Sequence, residues 1–130
     1  MADAKTDYLE NAILNAVLRN IAFTSPTTVY VGLHTAQANP EASTVTEVVG
    51  GNYGRQAVTF GAPSNGLTSN TADVSFAVAT APWGTIIGGG IYDSPTAGNL
   101  LYYGLLAVAK TVSTNDQFKF LAGAISAQEQ

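Results

Sequence analysis

The chain has 130 residues, of which 46% are hydrophobic and 11% charged, and its net charge is −4. That length supports a single domain over residues 1–130 with one core, and the scarcity of charge excludes a wholly disordered chain. Five Lys and Arg against nine Asp and Glu are poorly suited to a phosphate backbone, so no nucleic-acid partner is expected; the lack of cysteine excludes disulfides, thiolate nucleophiles and zinc–thiolate sites.

The first residues, Met1-Ala2-Asp3-Ala4-Lys5-Thr6-Asp7, lack a basic stretch followed by an apolar one, so no signal peptide is read. No apolar run approaches the ~20 residues that span a bilayer, so the protein reads as soluble and without a membrane partner. Both chain ends are expected to be held by packing.

Residues 7–23 carry the only helical period. Leu9, Ile13, Val17 and Ile21 recur every four residues, with Ala12 and Ala16 on nearly the same face. Asp7 and Glu10 have capping-box spacing, with an acid in place of Ser or Thr at the N-cap. Leu14 and Leu18 widen the apolar stripe, and Glu10, Asn11, Asn15 and Arg19 leave only a thin polar face. Such a helix is expected to be buried on most sides, either capping an open β-fold or packing on another subunit.

Ser25-Pro26 closes the helical segment. Residues 28–35 then alternate as a strand, with Val29, Val31 and Leu33 on one face and Tyr30, Gly32 and His34 on the other. Residues 36–54 form a long polar stretch ending in Gly50-Gly51-Asn52-Tyr53-Gly54, and are expected to be a contact loop. A second strand covers 55–60, with Val58 and Phe60 inward, and Pro63-Ser64-Asn65-Gly66 is a turn requiring positive φ. Further short strands are read at 73–78, 85–92, 100–106, 110–112, 117–121 and 124–127. About eight strands at roughly ten-residue spacing predict a mainly β fold: an antiparallel, jelly-roll-like β-sandwich over 28–127 with one N-terminal α-helix.

No set of residues assembles a catalytic site. His34 is the single histidine; a zinc site would need three carboxylates around it, and no G-x-S-x-G elbow accompanies it, so a hydrogen-bonding role at a strand end is expected. Gly88-Gly89-Gly90 lacks the Lys-Ser/Thr and helix start of a phosphate loop, and reads as a bulge or a close approach of backbones. Asp73, Asp93 and Asp116 stand near strand ends, where turn formation competes with calcium binding. Neither a metal nor a cofactor is expected. Tyr30, Tyr53, Trp83, Tyr92, Tyr102 and Tyr103 suit either edge packing or an interface. Leu9, Ile13 and Val17 on the helix, with Tyr53, Arg55 and Trp83, are the candidate partner-contact residues; a sugar-stacking platform would use the same aromatic types.

Several stretches in order resemble a family of small tailed-bacteriophage virion proteins, often labelled tail-fibre-like. They are residues 8–15 (YLENAILN), 28–35 (TVYVGLHT), 50–60 (GGNYGRQAVTF), 83–85 (WGT), 98–104 (GNLLYYG), and 110–112 (KTV) with 116–118 (DQF). The triple glycine at 88–90 departs from the mixed residues expected there. The resemblance implies a non-enzymatic structural protein of the virion, expected to be a homo-oligomer. It also implies one of two placements. One is capsid decoration (cement) on the major capsid protein lattice, which the compact, repeat-free length favours; the other is a tail fibre or tail tip that binds host glycan.

Overall fold

The computed structural model describes residues 4–129; Met1 to Asp3, which open the N-terminal segment discussed above, and Gln130 lie outside it. Ten strands and one α-helix follow in chain order. They are β1 (Ala4–Lys5), α1 (Asp7–Leu18), β2 (Val29–Asn39), a 3-10 turn (Pro40–Ala42), β3 (Thr44–Glu47), β4 (Gln56–Val58) and β5 (Leu67–Ser69). After them come β6 (Val74–Ser75), β7 (Gly84–Tyr92), β8 (Leu100–Val112), β9 (Lys119–Phe120) and β10 (Ser126–Gln128).

The main sheet runs β1-β8-β7-β2-β3, with β4 also paired to β2; β5–β10 and β6–β9 form two small ladders. Every pairing is antiparallel. Alternation along β2 sends Val31 and Leu33 into a core shared with Val74, Phe76, Phe118, Phe120 and Ile125 from the ladder side. The result is the expected β-sandwich with one N-terminal helix. Phe76 sits at its centre, stacked with Tyr53 and edge-on to Trp83, Phe118 and Phe120, with centroids 5.9–6.4 Å away.

Gly88 and Gly90, in the triple-glycine run of β7, serve close approach, as read from the sequence. A Cβ on Gly88 would strike the Gly104 carbonyl, and one on Gly90 would lie 2.9 Å from the Tyr102 carbonyl oxygen. A register shift between Ile86 and Gly88 resets the alternation, so Ile86 and Ile91 both reach the core although an odd spacing separates them. On β8 the same irregularity leaves Leu106 to Ala109 standing opposite Ile87 alone. Asn65 (φ 55°) and Gly66 (φ 76°) form the positive-φ turn that their dipeptide predicts.

The helix departs from expectation at three points. Its N-cap is the buried Thr6, not Asp7: the Thr6 hydroxyl accepts from the Leu9 N–H (3.4 Å) and donates to the Leu100 carbonyl (2.7 Å), tying the helix start to β8. The helix stops at Leu18 instead of reaching residue 23. Asn20 adopts a left-handed φ of 54°, and the Ile21 N–H returns to the Asn15 carbonyl at 3.1 Å, a closing bond that satisfies an end carbonyl. Finally, only Leu9 is buried. A four-residue step advances ~400° around a helix, so each step drifts ~40° off the face. Leu9 and Ile13 therefore face the sheet, and Val17 has rotated out to 73% exposure.

The polar stretch 36–54 is also more ordered than a contact loop. β2 continues to Asn39, the 3-10 turn follows, and β3 returns as its hairpin partner, with Ser43 (φ 66°) at the corner.

Candidate assembly surface

The sheet face carrying His34 holds a continuous polar network. The His34 side chain is fully buried; Nε2 lies 2.7 Å from the Tyr92 hydroxyl and Nδ1 lies 2.9 Å from Gln37 Nε2. Gln37 also donates to the Gly104 carbonyl at 3.0 Å, so Nδ1 accepts from the amide and the ring proton sits on Nε2. Burial pushes the imidazole pKa down to about 4; Glu47 opposes that shift and Arg55 adds to it. His34 is thus a neutral structural residue in the body of β2, not at a strand end.

Arg55 and Glu47 extend the network. Arg55 forks onto Glu47 through Nε and Nη2, both at 2.9 Å, and its Nη1 donates to the Ser94 and Ala97 carbonyls at 2.8 Å. Its guanidinium lies 3.5 Å over the Tyr92 ring. Burial opposes ionisation of Glu47, but hydrogen bonds from Arg55 and Tyr53 outweigh it and hold the carboxyl below its ordinary range. The Tyr53 hydroxyl donates to Glu47 and accepts from the Leu33 N–H (2.9 Å), in the gap where β4 ends and β3 has not begun. Burial, then the Glu47 bond, drives the Tyr53 phenol well above its ordinary pKa.

These placements redefine the contact residues expected from sequence. Tyr53 and Arg55 do come together, but as a saturated internal tie and not as a presented surface. Trp83 is buried, its Nε1 donating to the Gly51 carbonyl at 2.8 Å. Leu9 is buried and Ile13 half-buried, so of the six only Val17 is openly presented. Among Trp83 and the tyrosines, Tyr8 alone is exposed. Asp93, Asp116 and Asp73 each accept a backbone N–H at 2.8 Å, from Asn99, Ser113 and Ala122, as turn-forming residues do.

What the surface does present is aliphatic. Leu14 (54% exposed), Val17 and Leu18 stand out from α1, with Ile21 just beyond its end, and Leu105 and Val108 stand out from β8. Leu14 and Leu18, expected to widen a buried stripe, instead define an outward stripe with Val17 through their i, i+4 spacing. Val108 belongs to the displaced stretch of β8, which nothing local in the sequence marks. Leu14, Val17 and Leu18 are neighbours on one helix face, and exposed apolar residues grouped in this way on a small domain mark an interaction surface.

A family model for podophage GP4 fiber I protein gp80 matches residues 4–128. The chain belongs to that family. It is accordingly a structural protein of a tailed-phage virion, tail-fibre-like, as the resemblance implied. A comparison with curated proteins finds no match. No described helix is long and apolar enough to cross a membrane.

Proposed function

We propose that this protein is a non-enzymatic building block of the phage fibre, joined to neighbouring virion chains through its exposed aliphatic residues. The observation that carries the reading is the contrast between aromatics that, Tyr8 apart, are buried or half-buried and aliphatics that are presented. A sugar-stacking platform needs open aromatic faces, but Trp83, Tyr53 and Tyr92 are committed to the core and the polar network. Leu14, Val17, Leu18 and Val108 are what a partner chain would cover. The family description, a fiber protein, supports the fibre over the head. No catalytic role is assigned, because the single histidine is buried and its hydrogen bonds are taken within the fold.

Gold-labelled antibody on purified particles tests the placement. Label along the fibres is expected. Label spread over the head would overturn the fibre reading and make the protein a decoration subunit on the major capsid protein.

A further inference from the structure

One outward stripe on α1 combines acids and aliphatics. Asp7, Glu10, Leu14, Val17 and Leu18 follow steps of three and four residues, within an arc of ~100°. The acids Asp7 and Glu10 occupy the first turn, and with Glu41 of the 3-10 turn they bring carboxylate oxygens within 4.8 Å of one another. Among the described residues no Lys or Arg pairs with any of the three. The aliphatics occupy the exposed C-terminal half.

A surface elsewhere on the molecule has the opposite character. The displaced stretch of β8 and the segment from Phe118 through β9 enclose a groove of about 320 Å³, floored by Phe118 and Phe120, walled by Leu106 and Val108, and rimmed by Lys110 and Lys119. Lys119 pairs with Asp73 at 3.2 Å. Lys110 has no carboxylate partner among the described residues. Asp116 shares a neighbouring cleft with both lysines, but its Oδ2 already accepts the Ser113 N–H.

We infer that the groove receives helix α1 of a second copy of this chain. Two features match: an apolar floor and wall against Leu14, Val17 and Leu18, and an unpartnered cation against unpartnered carboxylates on the same helix face. The mode is helix-in-groove recognition. Because the two surfaces differ, the contact is head-to-tail, and such contacts generate closed rings or open filaments instead of a two-fold dimer. The inference concerns the chain alone in solution and stands whether or not the fibre placement holds.

Two variants test it. Val17→Asp damages the helix surface and keeps the groove; Val108→Asp damages the groove and keeps the helix. Both positions are largely exposed (73% and 69%), so both variants should keep the wild-type circular dichroism and Trp83 fluorescence. In sedimentation, wild type should form oligomers, each variant alone should be monomeric, and an equimolar mixture should stop at a one-to-one dimer. If Val108→Asp does not fold, Lys110→Glu takes its place. Glu10→Lys combined with Lys110→Glu should restore association that either change alone weakens several-fold. A monomeric wild type, variants that associate alone, or a mixture that stays monomeric while wild type associates would each overturn the inference.

Discussion

Lowering the pH from 7.5 to 4.5 should strip a defined amount of stability through one residue. His34 is fully buried, and burial lowers its pKa from 6.5 to about 4. In the unfolded chain it takes up a proton near pH 6.5, whereas in the folded chain it stays neutral until about pH 4. The unfolded state therefore binds more protons throughout that window, and stability falls as pH falls. The loss is ~1.4 kcal/mol per unit between pH 6.5 and 4, approaching ~3 kcal/mol in total before it flattens. That is a large share of the ~5–15 kcal/mol that holds a typical domain. Glu47 and Glu129, whose carboxyls are held low, add the main part of their loss below the unfolded value of 4.5. Because the chain has one histidine, the slope between pH 6.5 and 5 belongs to His34. Urea unfolding followed by the fluorescence of Trp83, the single tryptophan, measures it. Midpoints should fall steadily from pH 6.5 to 5 in wild type and stay level in His34→Gln, whatever that variant's starting stability. A flat wild-type profile across that range would refute the assignment of a buried neutral imidazole.

Three further outcomes are expected. Glu47→Gln leaves the Arg55 guanidinium, whose side chain is only 8% exposed, without its carboxylate, and should cost ~3–5 kcal/mol in urea unfolding; Glu47→Gln with Arg55→Met should cost less than the two single changes added together. Gly88→Ala drives a Cβ into the Gly104 carbonyl and should cost at least ~1–3 kcal/mol in thermal melts, whereas Gly54→Ala, with nothing within 4 Å of its Cβ, should sit within ~0.5 kcal/mol of wild type. Leu9→Asp places a charge under the helix and should abolish the cooperative near-ultraviolet transition, while Val17→Asp should melt like wild type.

Short-range patterns in this chain were legible; long-range ones were not. The alternation of Val31 and Leu33 against Tyr30 and His34 shows in the residues themselves, and Asn65-Gly66 announces its turn. The helix limit was also written locally, in Asn20, but a four-residue repeat running on to Ile21 masked it. β3 carries no clear strand signal because Thr44, Val45 and Thr46 lie in a polar context, where a hairpin arm needs only one covered face. The network of Glu47, Arg55, Tyr92 and His34 has no local signature, since its members meet only after β7 lies against β2. The same holds for the groove, whose wall and floor come from β8 and β9. For Tyr53, Arg55 and Trp83 residue type was informative but exposure was not: residues common at interfaces are equally fitted to closing a core boundary.

Incorporation into particles tests most directly whether the outward stripe of α1 carries the protein into the virion. Particles should be assembled with wild-type chain or with Val17→Asp supplied from the same expression system, purified, and their content of this protein quantified. Wild type should be present and the variant depleted at least tenfold, although it accumulates as folded protein in the host. Particles carrying Val17→Asp at the wild-type level would contradict the account.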